Sequence, residues 1–490
     1  MTQKQSVTAT LLEQLHEMEE AGHIGFWHNN QNEPFMTLEV NGSYENHALK
    51  STVTKLRLSE IVYTLTGKTL NENSYKEVLS NLEGKSLFLG PQFEDRYRVG
   101  RYSEDIYIDL GDKDWNYVRV SRDGWRVSGG KCPVRFRRGQ HTNPLPHPLK
   151  GHGREIISQY LNVSSEKDLL LIFTFMIQSY FPEGPYPLLS LTGEQGSAKS
   201  SAARLIVSLT DPKKAPLRTL PSREHDLMIS AEHSQTMAFD NISYIRPEIS
   251  DALCRLSTGG GLSTRALYKN SDEVVFEATR PVILTGINES VSRSDLADRT
   301  ISVQLDPISP NNRISESKMN YVLERDLPYM FGFLLDTLSK AMDIRDSVTL
   351  ENPPRMIDFA RTGEAVAIVL GMEPGSFMDS YSSGQTDTYE QIVDSSPIGE
   401  PIRILIKNKG EWSGTASELF IVLNERITEE VRKRKTWPTD AARLSRALRT
   451  IAPALRSEDI QVDFDTPKRR FITLSKSTEF TDITDTPSQW

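Results

Sequence analysis

Hydrophobic and polar residues alternate in short runs over the first part of the chain. Runs such as 106–110 and 117–120 have the two-residue period of half-buried strands. Two earlier segments, near 54–64 and 74–83, have the apolar spacing of helices. The pattern predicts a small mixed α+β domain over residues 1–150.

The pattern then changes to apolar strands that alternate with amphipathic helices, which is typical of an α/β core with a parallel sheet. We predict this core over residues 151–318 and a helical lid over 319–374. A stretch rich in glycine, serine, threonine and aspartate predicts a linker over 375–392. A third unit is expected at 393–475, followed by a polar tail at 476–490.

Composition limits the class of protein. The chain has 490 residues, of which 37% are hydrophobic and 25% charged, and its net charge is −9. This charge argues against wholesale coating of nucleic acid but leaves room for a local basic surface. Only two cysteines occur, Cys132 and Cys254, so a disulfide framework and a cysteine-based zinc site are excluded. The longest apolar stretch, 169–177, is too short to span a bilayer. We expect a soluble cytoplasmic protein with no membrane partner.

A phosphate-binding loop is predicted where the apolar run 188–191 meets a glycine-rich turn. The loop follows the pattern G-x-x-x-x-G-K-[ST], with alanine in place of the second glycine. Its nucleotide-binding residues are Gly193, Glu194, Gln195, Gly196, Ser197, Ala198, Lys199, Ser200 and Ser201. Backbone N–H groups and the N-terminus of the helix opening at Lys199 would surround phosphate oxygens. Lys199 would reach the β- and γ-phosphates, and the Ser200 hydroxyl would bind Mg²⁺. The alternative is an ordinary turn between strand and helix.

A second apolar run, 236–240, ends in an acidic residue as a Walker B strand does. We expect Asp240 to hold Mg²⁺ beside the phosphate loop, and the alternative is a solvated aspartate at a strand end. Asn241 stands where most hydrolysing relatives place a glutamate that orients the attacking water, and an amide cannot accept a proton. Either hydrolysis is slow or another carboxylate serves, with Glu194 and Glu232 as candidates.

A third apolar strand, 281–284, leads to Asn288, which is the best candidate for a sensor of the γ-phosphate. A turn asparagine is the alternative. Further on, Arg299 follows Asp295 and Asp298 and precedes another strand. Arg299 would act as an arginine finger on the nucleotide of a neighbouring subunit, with Arg293 as the fallback. The alternative is a surface arginine paired with one of the two aspartates.

The order of these motifs resembles the AAA+ ATPases, and more narrowly the helicase clade of superfamily-3 and MCM-like helicases. Within this clade it is most similar to ATP-binding, primase-helicase-type proteins of phages and integrating mobile elements. The resemblance rests on 192–200, 253–261 and 295–299, is specific over 185–305 and weakens toward 475. It implies a P-loop AAA+ core, ATP and Mg²⁺ as cofactors, and assembly into a ring, with a hexamer expected. No primase signature is apparent in the first 150 residues, so no priming activity is inferred.

Two regions are candidates for binding DNA. In the helicases that the chain resembles, a hairpin between the Walker B and sensor strands points into the central pore of the ring. By this resemblance Lys269 is the pore lysine, supported by Arg265 and Tyr268. Six copies would give a positive collar with salt-sensitive, sequence-independent binding. A plain surface hairpin is the alternative.

The C-terminal unit is the second candidate, because helices near 415–426 and 440–452 precede a two-stranded ribbon, which is the layout of a winged helix. Thr439 or Asp440 would cap the second helix. Its basic residues would contact DNA phosphates, although winged helices also dock proteins. These residues are Arg443, Arg446, Lys468, Arg469 and Arg470, with Arg449 on the same side of the helix.

The leading hypothesis is a Mg²⁺-ATP-dependent, ring-forming DNA helicase or translocase that acts in replication of a phage or mobile element. It would bind single-stranded or forked DNA and other replication proteins. The alternative is a nucleotide-switched DNA-binding protein with little turnover, such as an initiator, loader or defence regulator, and Asn241 favours it. A metabolic P-loop kinase would leave the hairpin and the winged helix without a role.

Overall fold

The computed structural model describes residues 6–139, 141–260, 262–265, 273–276, 278–286, 293–308, 316–434, 436–465 and 471–476. For 262–265, 273–276 and 316–321 it describes the backbone alone. Several residues nominated above lie outside the described ranges, and they are Asn288, Tyr268, Lys269, Lys468, Arg469 and Arg470.

A small unit with its own core opens the described chain. Its elements are α1 (Val7–Glu20), β1 (Ile24–His28), β2 (Pro34–Val40), β3 (Ser43–Ala48), α2 (Thr52–Thr66) and α3 (Glu72–Phe88). The strands form an antiparallel sheet in the order β1-β2-β3. Side chains of Ser6, Ser51 and Asn71 cap the three helices by accepting backbone N–H groups. Apolar residues such as Leu15, Leu58 and Leu82 fill this core.

A second antiparallel sheet follows, and it packs on the rest of the chain instead of on the first unit. Its strands are β5 (Val99–Tyr102), β6 (Asp105–Asp109), β7 (Tyr117–Ser121) and β8 (Gly124–Ser128), with a short parallel pair of β4 (Asp95–Arg96) and β9 (Arg135–Phe136) beside it. Ile106, Ile108, Val118 and Val120 share one core with the helices that surround the parallel sheet. The predicted N-terminal domain over 1–150 therefore has two parts, because the inward faces of these strands are covered by later helices.

A buried ion pair joins this second sheet to the parallel sheet. Nε of Arg98 lies 3.2 Å from Oδ1 of Asp211, and the two side chains are 0% and 1% exposed. The remaining groups are satisfied by backbone, since Arg98 donates to the carbonyls of Asp109 and Asn143 and Asp211 accepts the N–H of Gln235. Such a fully bonded pair fixes the relative position of the two sheets.

The central sheet has four parallel strands, β10 (Leu188–Thr192), β11 (Met237–Ile242), β14 (Val282–Gly286) and β15 (Thr300–Gln304), in the order β11-β14-β10-β15. Every residue of β10 and β14 is buried, as continuous apolar runs in a parallel sheet predict. The elements around and between them are α4 (Gly153–Tyr160), α5 (Glu166–Gln178), α6 (Lys199–Thr210), α7 (Glu224–Glu232), α8 (Pro247–Thr258), β12 (Leu262–Arg265), β13 (Glu273–Phe276) and α9 (Ser294–Ala297). Because β14 lies between β10 and β11, the carboxyl ends of these three strands are neighbours.

Three further helices, α10 (Glu316–Ile344), α11 (Ile357–Val369) and α12 (Ser376–Ser395), pack with α5 into the core of the parallel sheet. The linker predicted over 375–392 is wrong, because α12 covers it. Its apolar residues are few, but Phe377 and Tyr381 are one helical turn apart, buried and stacked. Because most residues of α12 are polar, the sequence pattern did not reveal its buried apolar side.

The C-terminal unit contains α13 (Gly399–Lys409), β16 (Glu411–Thr415), α14 (Ala416–Asn424), α15 (Glu429–Arg432), α16 (Ala441–Ser457), β17 (Ile460–Phe464) and β18 (Phe471–Lys476). The strands form an antiparallel sheet in the order β16-β18-β17. The helices and ribbon predicted here are present as α14, α16, β17 and β18, and β16 is a third strand that the sequence pattern did not indicate. Apolar residues such as Leu448 share one core with residues of α8 such as Leu253.

Within the described residues, every helix is either too short or too polar to cross a lipid bilayer.

Asp168, in the first turn of α5, gives a stability prediction. Burial, together with the charges of Asp306 and Asp387, raises the pKa of this carboxyl to about 6. The ionised form therefore destabilises the folded protein, with a penalty that grows above the ordinary pKa of 3.8 and levels off above about 6. Asp168→Asn is expected to raise the free energy of unfolding by about 2 kcal/mol at pH 7.5, and by much less at pH 4. Urea unfolding at both pH values tests this. Glu166→Gln, at an exposed position of the same turn, should change little, and equal stability of Asp168→Asn and wild type at pH 7.5 would contradict the assignment.

Candidate functional site

The phosphate loop leaves the carboxyl end of β10 and enters α6. Gly193 has φ 140° and Gly196 has φ 88°, values in the region that favours glycine. A Cβ atom on Gly193 would lie 2.6 Å from the carbonyl oxygen of Leu305 and 2.8 Å from Oγ of Ser197. The two glycines thus permit a turn tight enough for backbone N–H groups to surround a phosphate.

Ala198 adopts φ 64° and ψ 27°, the left-handed conformation, at the first boundary of α6. This explains why the phosphate-loop pattern has glycine at this position. Alanine carries a Cβ that makes the left-handed conformation cost about 1–2 kcal/mol, so the loop keeps the same backbone at the expense of strain.

Ala198→Gly is expected to raise the free energy of unfolding by up to about 1 kcal/mol, because relief of strain outweighs the greater freedom of the unfolded chain. Chemical denaturation measures the change. Ala202→Gly, in the regular helix α6, is the matched control and should lower stability by about 1 kcal/mol. A loss of stability in both variants would show that Ala198 is not strained.

Lys199 points its ammonium group into the loop. Its Nζ donates to the carbonyl oxygens of Gly193 and Glu194 at 2.8 and 2.7 Å, and lies 3.3 Å from Oγ of Ser197. The positive charge is therefore inside the turn, where the predicted β- and γ-phosphates would lie.

A hydroxyl and carboxylate cluster lies beside the loop, at the carboxyl ends of the three neighbouring strands. Oγ of Ser200 donates to Oδ1 and Oδ2 of Asp240 at 2.9 and 3.0 Å. Oγ1 of Thr285, from the end of β14, donates to the same carboxylate. The structure thus brings together the two predicted Mg²⁺ ligands, and it adds Thr285, whereas the sequence pattern favoured Asn288 at the end of this strand.

These residues fit a magnesium-bound nucleotide. Magnesium prefers hard oxygen ligands and keeps several of its waters, so one hydroxyl and one carboxylate are a sufficient protein contribution. Ser200 and Asp240 would hold the ion, while Lys199 and the N-terminus of α6 would neutralise phosphate charge.

Asn241 is exposed and adopts φ 58°, at the irregular end of β11 where its pairing with β14 shifts in register. Its backbone N–H donates to Oγ1 of Thr285 at 3.2 Å. Asparagine is among the few residues that tolerate the left-handed conformation, which gives a backbone reason for an amide at this position. A glutamate here would be strained.

The two substitute carboxylates are in different places. Glu194 is exposed on the phosphate loop itself. Glu232 ends α7, ahead of β11, and lines a cavity with Arg137 and Arg280 at the amino end of the sheet. Burial raises the pKa of Glu232, but the length of β11 separates it from the phosphate loop. Of the two, only Glu194 lies near the loop.

Arg299 lies at the amino end of the parallel sheet, whereas the phosphate loop of the same subunit lies at the carboxyl end. It precedes β15, whose Thr300 pairs with Leu188 at the start of β10, so about 15 Å of strand separates it from the loop. Its Nη1 donates to the carbonyl oxygen of Asp295 at 2.6 Å, and within the described residues its Nε has no hydrogen-bond partner.

The two aspartates that precede Arg299 closely in the sequence pair with other arginines. Asp295 lies 3.3 Å from Arg293, and Asp298 lies 3.3 Å from Arg355. Arg293 also pairs with Asp251 at 3.1 Å. Among the described residues, therefore, Arg293 is held by two carboxylates while Arg299 has no carboxylate partner.

The comparisons with known proteins follow the same division of the chain. Residues 155–387 match the family model described as actinomycete integrative conjugative element replication protein. Residues 398–488 match the model of the C-terminal domain of the same kind of protein. Together the matches span about two thirds of the chain. The chain is a replication protein of a mobile element.

No curated protein matches the sequence of this replication protein. Among solved structures, the A-form apo structure of the NrS-1 C-terminal region has 11% sequence identity and a TM-score of 0.42, over 94% of this chain and 98% of that one. A second apo structure of that region has 12% identity and a TM-score of 0.43, over 95% and 98%. TM-scores of this size do not establish a common fold.

The candidate pore hairpin of the replication protein is described only in part. Strands β12 and β13 pair antiparallel, with Leu262 opposite Phe276 and Arg265 opposite Glu273. The hairpin predicted here is confirmed in its strands. Tyr268 and Lys269 lie outside the described residues, so the pore assignment stays a prediction.

The second DNA-binding candidate is the exposed side of α16. Arg443, Arg446 and Arg449 are all exposed, and the Arg449 guanidinium lies 4.0 Å above the ring of Phe464. Asp440 caps the helix by accepting the backbone N–H of Arg443 at 2.8 Å, which decides between the two predicted caps. The arginines thus lie beside β17, and the basic residues predicted for the ribbon tip, 468–470, fall outside the described ranges.

Proposed function

We propose that this replication protein is a Mg²⁺-ATP-dependent ring-forming translocase that unwinds DNA during replication of its mobile element. The observation that carries the proposal is the cluster of Ser200, Asp240 and Thr285 beside a loop into which Lys199 points. A positive loop next to a hydroxyl and carboxylate pair is the arrangement that binds and polarises a nucleotide triphosphate.

Ring assembly is proposed because an arginine from a neighbouring subunit would complete the site with a positive group opposite the loop. Arg299 is the candidate, and its distance from its own loop together with its lack of a carboxylate partner among the described residues supports a role in a neighbouring subunit. An arginine in this role stabilises transition-state charge. A hexamer is the assembly we expect.

DNA would be held at two places. Hairpins with Arg265, Tyr268 and Lys269 would line the pore and grip the backbone of a single strand. The α16 arginines of the C-terminal unit would contact phosphates of a duplex or fork. Because the net charge of the chain is −9, DNA binding would depend on local basic surfaces such as these two.

A nucleotide-switched DNA-binding protein is the second candidate, and Asn241 favours it. Its amide cannot accept a proton, and Glu194, the only one of the two substitute carboxylates near the loop, is exposed. Slow hydrolysis would make the nucleotide a controller of assembly, with recruitment as the output.

Steady-state ATP hydrolysis with and without single-stranded DNA tests the two candidates. For a translocase, wild-type turnover is expected to rise several-fold with DNA and to vanish in Lys199→Ala. A switch would bind ATP with negligible turnover under both conditions, and such a result would overturn the proposal of a translocase.

Asn241→Asp is the variant that supplies a carboxylate without a bulky side chain in the left-handed conformation. In a switch it should create turnover, whereas in a translocase it should change turnover only modestly. Asn241→Gly is the matched control, because it keeps the backbone conformation and removes the side chain. Equal gains in both variants would mean that backbone freedom, not the carboxylate, limits hydrolysis.

A further inference from the structure

The N-terminal unit, residues 6–90, carries an apolar groove between α1 and α3. The groove has a volume of about 600 Å³, and its floor is formed by Leu15, Phe26 and Leu82. At one end Phe88 and Leu89 close α3 with 84% and 82% of their surfaces exposed. They are the most exposed large hydrophobic residues of the described chain.

Two adjacent apolar side chains this exposed, beside an open groove, mark a surface that another molecule covers. Neither residue stabilises the unit's own core, because Leu15 and Leu82 already fill it at 1% and 2% exposure. Gly90 turns the chain sharply at this point, since a Cβ there would lie 2.6 Å from the carbonyl oxygen of Ser86. The turn holds Phe88 and Leu89 at the rim of the groove.

The net charge of residues 6–90 indicates which class of molecule binds in the groove. Residues 6–90 contain eleven acidic and six basic residues. Along α1, Glu13, Glu17 and Glu20 are exposed, and Lys85 at the groove is already bonded to Glu19. The net negative charge of this unit repels DNA phosphates and the same unit of a second copy, and it attracts cations.

We propose that this groove binds an amphipathic helix of a partner protein whose apolar face is bordered by lysine or arginine. Phe88 and Leu89 pack against the apolar face, as in other helix-in-groove complexes, while the net negative charge of the unit attracts the flanking cations. The proposal is independent of the ATP site and gives the N-terminal unit a role in recruiting a protein.

The test uses the full chain and a fluorescein-labelled synthetic helix with leucine at positions i, i+3, i+4 and i+7 and lysine at the flanking positions. Fluorescence anisotropy is expected to show saturable binding that weakens with salt. A second peptide with glutamate in place of each lysine should bind at least about tenfold more weakly. Equal binding of the two peptides, or no binding of the lysine peptide, would overturn the proposal.

Phe88→Ala/Leu89→Ala is expected to weaken the lysine peptide at least about tenfold. Because both side chains are exposed, the thermal unfolding midpoint should stay unchanged. Leu56→Ala/Tyr63→Ala is the matched control, since these residues are 63% and 65% exposed on α2 and do not line the groove. Glu13→Gln/Glu17→Gln/Glu20→Gln should lower affinity and flatten the salt dependence.

Two other occupants are distinguished by the same variants. If Phe88→Ala/Leu89→Ala abolishes concentration-dependent association in sedimentation experiments, the groove binds a second copy and the proposal is wrong. If it abolishes binding of a single-stranded oligonucleotide, the groove is a nucleic-acid surface and the proposal is equally wrong. We expect both properties to be unchanged.

Discussion

Asp240→Asn is expected to lower ATP turnover by roughly 100-fold or more, because the carboxylate that would hold Mg²⁺ is replaced by a neutral amide. The variant keeps the shape of the side chain, so the loss reports charge. Ser200 and Thr285 both donate to this carboxylate, and an amide nitrogen in place of one oxygen could accept from neither. Steady-state hydrolysis at saturating ATP and Mg²⁺ measures the effect.

Nucleotide binding without hydrolysis separates this loss from misfolding. In EDTA, Asp240→Asn should bind a fluorescent ATP analogue within a few-fold of wild type, because Lys199 and the loop backbone remain. Asp226→Asn, at an exposed position of α7, is the control and should hydrolyse normally. If Asp240→Asn hydrolysed ATP at the wild-type rate, the assignment of Asp240 as a metal-binding residue would be wrong.

The phosphate loop and Asp240 could be predicted because each depends on residues that are close in sequence. A glycine-rich turn after an apolar strand fixes Lys199 and Ser200 within one loop, and an acidic strand end fixes Asp240. That the two meet follows from the parallel sheet, since carboxyl ends of parallel strands share one edge. The hydrogen bond between Ser200 and Asp240 agrees with this expectation.

Thr285 could not be selected in the same way. Its contact with Asp240 depends on β14 lying between β10 and β11, and the spacing of residues along the chain does not reveal strand order within a sheet. A threonine at the end of an apolar strand is also ordinary sheet composition. The signal that was available is its place one residue before the glycine that ends β14, and this became informative only when Asp240 was its neighbour.

Two predicted segments, the linker and the single N-terminal domain, were wrong for a related reason. Packing between distant parts of the chain decides where such segments begin and end. The linker over 375–392 is a helix whose few apolar residues contact α5 and α11. The first 150 residues divide near residue 90, because α10 packs on β7 and β8. Composition describes a segment alone, whereas burial depends on a partner far along the chain.

Arg299→Ala is expected to lower ATP turnover about 1000-fold, with little change in nucleotide affinity, if the guanidinium stabilises the transition state on a neighbouring subunit. Turnover and binding of the same ATP analogue measure the two effects. Arg293→Ala is the matched control, because Arg293 pairs with Asp251 and Asp295 within its own subunit. A loss in Arg293→Ala instead would make that residue the finger.

Mixing experiments decide whether Arg299 acts between subunits. Lys199→Ala and Arg299→Ala are each expected to be inactive alone. In a mixed ring, a site between two different variants can contain both groups. The Arg299→Ala subunit supplies Lys199, and the neighbouring Lys199→Ala subunit supplies Arg299. Random assembly at equal amounts should then restore about one quarter of wild-type turnover per site. If Arg299 served its own subunit, no mixture would contain a complete site, and turnover would stay at the level of the separate variants. Arg299 lies at the amino end of its own sheet, away from its own phosphate loop. This position favours restored turnover in the mixture.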